Sequence, residues 1–211
     1  MSQQKINYQK QLDALLPTLG EAPRLLLHSC CGPCSSYVLE YLSQYFRVTV
    51  LFYNPNIRPR AEYDLRLENQ RKLIAALPTR YPVDILETGY DGPAWTAAVT
   101  GLEQEPEGGA RCPVCYRQRL EMTARTAAAH GYPWFCTTLS VSPHKDAEKL
   151  NAIGEKLAAD YGLRWLPSDF KKRNGYLRSI QLSKTYDLYR QDYCGCGLPE
   201  HPEWAEEVPH D

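Results

Sequence analysis

Three groups of cysteines carry the chemistry available to this chain. Cys30, Cys31 and Cys34 lie in the run His28-Ser-Cys-Cys-Gly-Pro-Cys34, Cys112 and Cys115 in Arg111-Cys-Pro-Val-Cys-Tyr116, and Cys194 and Cys196 in Tyr193-Cys-Gly-Cys-Gly197. Of the eight cysteines only Cys136 stands alone, inside an apolar run where it reads as a small core residue. The thiolate is the form that attacks and that ligates metal, and a helix N-terminus favours it. A Cys-x-x-Cys pair opening a helix chelates a metal or forms a redox disulfide. Beside the first group it completes the four thiolates that an iron–sulfur cluster or a structural zinc needs. The long gap between the groups is unlike a compact zinc ribbon and favours iron–sulfur in a cleft closed by the tertiary fold. Two thiols separated by one residue would close a small, strained ring. Cys194 and Cys196 therefore read as a dithiol/disulfide switch, with additional metal ligation as the alternative.

These groups must be carried to one place by the elements around them. Arg24 to His28 is a tight apolar run, as in a buried parallel strand. Further strands are expected at Arg47 to Tyr53, Val83 to Leu86, Trp134 to Leu139 and Leu163 to Leu166. Helices are expected near Ile6 to Leu19, from Ser35-Ser36 through Tyr45, over Ala61 to Leu77, in a short piece around Trp95, over Pro113 to His130 and over His144 to Tyr161. Asp169 to Gln191 reads as polar helix leading to Cys194. Strands alternating with helices predict an α/β fold, a three-layer parallel sheet with helices on both faces. Ligands gather at the carboxyl ends of such strands. Cys30 and Cys31 follow the first strand, Asn54 the second, and Ser140 to Lys145 the fourth, so His144 and Lys145 fall near the same edge. A nucleotide-binding PP-loop sheet would carry a glycine-rich phosphate cradle after its first strand, where this chain has thiols.

The 211 residues predict a single α/β domain, with an N-terminal helix in 1–22, a sheet core in 23–166, a helical segment in 167–197 and an acidic tail in 198–211. The apolar runs are far shorter than the ~20 residues of a membrane span. The N-terminal residues lack the apolar core of a secretion signal, which predicts a cytoplasmic protein. Eight cysteines in such a protein point to metal binding or catalysis rather than a disulfide framework. The net charge of −1 hides an uneven distribution. Between Arg164 and Arg190 lie Lys171, Lys172, Arg173, Arg178 and Lys184 against Asp169 and Asp187, with Tyr176, Tyr186 and Tyr189 interleaved. Such a segment is either a solvated helical surface or a face for a polyanion.

The combination of motifs resembles the cobalamin-independent epoxyqueuosine reductases of the QueH family. The matching stretches are His28-Ser-Cys-Cys-Gly-Pro-Cys34, Tyr53-Asn-Pro-Asn-Ile, Glu62-Tyr, Arg111-Cys-x-x-Cys-Tyr-x-x-Arg119, Thr137-Thr-Leu-Ser-Val-Ser-Pro-His-Lys145, Asp169-Phe-Lys-Lys with Gly175-Tyr, and Tyr189-Arg-Gln-Asp-Tyr-Cys-Gly-Cys196. The resemblance implies a fold similar to PP-loop/HUP-type nucleotide-binding proteins. It also implies removal of the epoxide oxygen of epoxyqueuosine at the wobble position of tRNA, giving queuosine. The family's [4Fe-4S] ligands fall on Cys30, Cys31, Cys112 and Cys115, and its redox-active pair on Cys194 and Cys196. An additional iron is implied, for which Cys34 is the candidate ligand.

His144 and Tyr116 are candidate catalytic groups. Lys171, Lys172, Arg173, Tyr176, Arg178, Lys184 and Arg190 are candidate RNA contacts, since loop bases are received by aromatics and arginine. The expected partners are tRNA carrying epoxyqueuosine and an electron donor of unassigned identity, with the enzyme a monomer. A tRNA sulfur transferase on the same fold and a zinc-stabilised RNA-binding module are the rival readings.

Overall fold

A computed structural model describes residues 6–202; the first five residues and most of the acidic tail, residues 203–211, lie outside the described residues. Five strands form: β1 (Arg24–His28), β2 (Arg47–Phe52), β3 (Asp84–Glu87), β4 (Trp134–Thr137) and β5 (Arg164–Trp165). Their order is β3-β2-β1-β4-β5 and every pair is parallel, with Leu27 facing Val50 on one side and Cys136 on the other. Parallel neighbours need crossover connections. These contain α2 (Gly32–Leu42), α3 (Arg60–Ala76), α4 (Gly92–Ala98), α5 (Arg111–Ala129) and α6 (Ala147–Tyr161); α1 (Tyr8–Leu15) precedes the sheet and α7 (Gly175–Thr185) follows it.

Alternation along the strands sends successive side chains to opposite faces. Leu25 and Leu27 of β1, Val48 and Val50 of β2, and Trp134 and Cys136 of β4 pack with Leu12, Val38, Leu39, Leu42 and Leu73 from α1 to α3. Leu26, Leu51 and Phe135 point the other way, onto Tyr116, Leu120 and Ala124 of α5 and Leu150 and Leu157 of α6. Two cores on two faces make the expected three-layer α/β arrangement. Cys136 belongs to the first core and is fully buried. Among the described residues no helix is long and apolar enough to cross a membrane.

Several element boundaries differ from expectation, and three of the differences have a clear local reason. Helix α2 begins at Gly32 with Cys31 as its N-cap residue, so Ser35 and Ser36 lie inside the first turn, where their hydroxyls donate to the Cys31 and Pro33 carbonyls. Helix α6 begins at Ala147, because the Asp146 carboxylate accepts from the Glu148 and Lys149 amides and so fixes the first turn there. The polar stretch from Asp169 to Gln191 is helical only over Gly175–Thr185, since Arg173, Asn174 and Asp187 adopt positive φ on either side.

The chain winds from β1 outward to β3, then returns to the far side of β1 for β4 and β5. The reversal leaves a crevice between the carboxyl ends of β1 and β4, the usual place for a ligand in such a sheet. The first cysteine group follows β1 into that crevice.

Candidate metal centre

His28 ends β1 and is fully buried. Its Nε2 is 3.1 Å from the Tyr53 carbonyl, which only accepts, so the proton sits on Nε2 and Nδ1 accepts from the Thr137 hydroxyl at 2.8 Å. Burial, with Arg119 nearby, pulls the imidazole pKa down to about 3, so the ring is neutral. One side chain thereby ties together the ends of β1, β2 and β4. Ser29 hydrogen-bonds to Gln70 at 2.7 Å, and the Asn54 amide donates to the Ser29 carbonyl at 2.8 Å. This polar floor fixes the backbone from which Cys30 and Cys31 project.

Sγ atoms of Cys30, Cys31 and Cys34 lie within 4.8 Å of one another, with Cys30 and Cys31 3.8 Å apart. As free thiols they share charge unequally. Hydrogen bonds from Cys30 and Cys34 hold Cys31 well below the ordinary thiol range, with Arg66 adding to the effect. Cys30, donating to Cys31, is pushed up to about 12, and Cys34 is also pushed well up by its sulfur neighbours. The Gln191 side-chain amide donates to Cys31 Sγ at 3.5 Å.

Cys112 and Cys115 sit in the first turn of α5 and are both buried. Cys112 accepts from the Gly108 amide at 3.1 Å and belongs to the core against which Cys30 packs. Cys115 packs instead with Trp95, Cys196 and Cys194. Among the described residues, the only group of three or more ligand side chains within 4.8 Å of each other is Cys30, Cys31 and Cys34. Cys112 and Cys115 therefore border that trio without joining it, and they connect it to the third cysteine group.

The Cys194 and Cys196 sulfurs are 3.7 Å apart and both are free thiols. Their loop is pinned at both ends: the Arg58 amide donates to the Gly195 carbonyl at 2.8 Å, and the buried Arg111 guanidinium donates to the Leu198 carbonyl at 2.6 Å. Gly195 sits at a close approach, since a Cβ there would lie 3.0 Å from Ile57 and 3.1 Å from Arg66 and would press on both side chains. Gly197 takes φ of 65°, a left-handed turn that glycine tolerates best.

Two buried guanidinium groups compensate the thiolates. Arg66 of α3, paired with Glu62 at 2.6 Å, is 4 % exposed. Burial alone would weaken its charge, but Cys31 and Glu62 outweigh that and push its pKa up. One of its terminal nitrogens, Nη2, has no hydrogen-bond partner. Arg119 of α5 is buried among Cys115, Cys30 and Cys194, whose charges overcome its desolvation in the same way. Four or more soft sulfur donors with two buried cations suit an anionic iron–sulfur centre or a zinc thiolate site, and the unpartnered Arg66 nitrogen is matched to further negative charge.

A cavity of about 290 Å³ opens over this centre. Cys30, Cys34 and Cys194 reach its wall, as do Arg66, Arg119, His144, Lys145, Tyr176 and Arg190. Of the sequence candidates, His144 lines the cavity from its exposed rim. Tyr116 is 2 % exposed, absent from the wall, and its phenol is pushed up by burial. The basic segment divides. Tyr176 and Arg190 face the cavity, the guanidinium 5.9 Å from the ring centroid. Arg173 pairs with Asp13 at 2.5 Å and Arg178 with Glu40 at 2.5 Å, which docks this segment on α1 and α2, while Lys171 pairs within the segment with Asp169 at 2.7 Å. Lys172 and Lys184 form no ion pair among the described residues. Arg66 was not legible as a site residue in the sequence, because a charged residue on a polar helix reads as surface. Its i, i+4 pairing with Glu62 is no signal of burial, since Arg60 and Asp64 have the same spacing on the surface.

The chain matches the family model described as Epoxyqueuosine reductase QueH over residues 25–201. It is 42 % identical over 203 residues to the epoxyqueuosine reductase QueH of Staphylococcus epidermidis, covering 93 % of this chain and 85 % of that one. It is 42 % identical over 198 residues to the protein of the same name from Streptococcus pyogenes serotype M1, covering 92 % and 78 %. With the corresponding protein of Haemophilus influenzae it shares 37 % identity over 190 residues, covering 88 % and 76 %. All the motif stretches given above fall inside the matched region. With three cysteine groups meeting at the switch point of a parallel sheet, the chain belongs to the QueH family of epoxyqueuosine reductases.

Proposed function

We propose that this chain reduces epoxyqueuosine in tRNA to queuosine at a [4Fe-4S] cluster held by Cys30, Cys31, Cys112 and Cys115, with Cys34 available to an additional iron. The observation that carries the reading is the meeting of Cys30 and Cys34 with Cys194 on one cavity, with Cys112 packed against Cys30 and Cys115 against Cys194, beside two buried arginines. Such a cluster, when bound, would supply electrons one at a time, and the additional iron beside it would supply Lewis acidity. The chain's own groups do the rest. The Cys194/Cys196 dithiol stores an electron pair, since thiol and disulfide form a two-electron couple. Arg66 and Arg119 offset the negative charge of the thiolates. Tyr176 and Arg190 at the rim receive the unstacked loop base and its phosphates. The wall of the cavity shields the reacting atoms from bulk water. The electron donor is an external carrier, and the enzyme works as a single α/β domain and a monomer.

The ligand assignment is tested by metal analysis of anaerobically purified protein and of single Cys→Ala variants at positions 30, 31, 34, 112 and 115. The expected wild type is brown with iron and sulfide, and the 30, 31, 112 and 115 variants lose both. Retention of the cluster in two of those four variants overturns the ligand set. A colourless wild type with stoichiometric zinc would identify a zinc-stabilised RNA-binding module instead. The gathering of Cys34 with Cys30 and Cys31 favours a second use of that sulfur. Cys34→Ala is accordingly expected to keep sulfide while losing about one iron.

A further inference from the structure

Lys145 ends the turn between β4 and α6, and neither metal ligation nor RNA docking uses its side chain. That side chain is 13 % exposed and lies on the cavity wall beside Cys194. Nζ donates to Cys194 Sγ at 3.6 Å and is ion-paired with Glu107. Lys171 Nζ donates to the Lys145 carbonyl at 3.5 Å, which holds the turn. The Cys196 thiol, from a residue 4 % exposed, donates to the same Cys194 sulfur at 3.7 Å. Cys194 is thus the sulfur open to the cavity, with an ammonium on one side and a thiol behind it. The remaining titratable neighbours of Lys145 are Tyr116 and Cys115.

Resting on the reading of this chain as an epoxyqueuosine reductase with a Cys194/Cys196 dithiol, we propose that Lys145 is a catalytic residue whose ammonium protonates the departing epoxide oxygen. Both C–O bonds break and the C=C bond forms. The two electrons come from formation of the Cys194–Cys196 S–S bond. One proton comes from the Cys196 thiol and the other from Lys145, so the oxygen leaves as water. A thiolate and an ammonium enter the step, and a disulfide and a neutral amine remain, so charge is conserved. Solvent, reached through the part-exposed Glu107, returns the proton to Lys145. A thiol reductant or a one-electron carrier acting twice returns the electron pair.

The electrostatics set the timing. The donated bond to Cys194 Sγ and the ion pair with Glu107 hold the Lys145 side chain in place as the ammonium. When Cys194 loses its negative charge to the disulfide, the first of those partners disappears and the buried ammonium becomes a stronger acid. The proton is released as the electrons leave. Tyr116 lies off the cavity wall. The His144 side chain has no hydrogen-bond partner among the described residues to aim it inward, whereas Lys145 Nζ is held between Glu107 and the Cys194 sulfur.

The test uses pre-reduced, metal-loaded enzyme with tRNA carrying epoxyqueuosine, in single turnover without added reductant. Wild type is expected to form queuosine with loss of two titratable thiols. Lys145→Ala is expected to keep iron content and tRNA affinity while slowing the step by about 10²–10⁴-fold. Added ethylamine and weaker alkylamines are expected to restore rate in an order set by their pKa. Lys145→Arg keeps the charge but holds its proton too tightly to transfer it, and is expected to be as slow as Lys145→Ala. A wild-type rate in Lys145→Arg, or no amine rescue of Lys145→Ala, overturns the assignment of Lys145. If Lys145→Ala fails to fold, the arginine variant decides alone. No queuosine from the wild type overturns the reductase reading itself, a different failure from that of Lys145.

Discussion

The His28 imidazole accepts a 2.8 Å hydrogen bond from Thr137, joining the end of β1 to the end of β4 beneath the cysteines. Thr137 Oγ1 also accepts from the Leu139 amide at 3.2 Å, so it fixes the loop that leads to Lys145 as well. Thr137→Val keeps the shape of the side chain and removes both bonds. The buried Nδ1 is then unpaired, which costs about 1–3 kcal/mol. The expected result is a lower urea midpoint at unchanged slope for metal-free protein, and an unchanged midpoint would show that the clamp contributes nothing.

Arg119 is expected to set the potential of the metal centre. Its guanidinium lies among Cys30, Cys115 and Cys194, and removing a buried positive charge favours the more oxidised, less negative state. Arg119→Gln, reconstituted with iron and sulfide, is expected to show a midpoint potential lower by on the order of 60 mV, a tenfold change for one electron. Arg119→Lys retains the charge and is expected to shift less. Redox titration followed by optical bleaching measures both. An unchanged potential in Arg119→Gln would place the cluster away from this guanidinium.

Much of this arrangement was legible in the sequence because apolar runs and thiol spacing are local signals. Leu25, Leu26 and Leu27 announce a strand buried on both faces, and the thiols that follow it fall where parallel sheets bind ligands. The interior charges were not legible. Arg58, Arg66, Arg111 and Arg119 are all nearly inaccessible, yet nothing local separates them from surface arginines. Their burial depends on partners far along the chain, as with Arg111 and the Leu198 carbonyl. The packing of Cys115 with Cys194 and Cys196 is likewise tertiary. The extended polar helix expected from Asp169 failed for a backbone reason, positive φ at Arg173, Asn174 and Asp187, which composition does not reveal.

The division of the basic segment leads to unequal effects on tRNA binding. Lys172 and Lys184 have no acidic partner among the described residues, whereas Arg178 is committed to Glu40. Lys172→Glu with Lys184→Glu is expected to weaken tRNA binding and to reduce the salt slope by about 0.7 per lost phosphate contact. Arg178→Ala is expected to loosen α7 and lower thermal stability by roughly 1 kcal/mol or less, as for other exposed pairs, with little change in slope. Filter binding from low to physiological salt separates the two. Equal slopes in wild type and the double variant would place the RNA on another face.

The most direct measurement is the fate of the modified nucleoside. Anaerobic, cluster-loaded protein is incubated with tRNA carrying epoxyqueuosine and a low-potential reductant, and the digested nucleosides are analysed by mass spectrometry. Loss of one oxygen from epoxyqueuosine to give queuosine is expected, abolished in Cys30→Ala and Cys112→Ala. Cys194→Ser is expected to keep the cluster and to form no queuosine, in single or multiple turnover. Unchanged epoxyqueuosine after incubation with iron-replete wild-type protein would contradict the reductase reading.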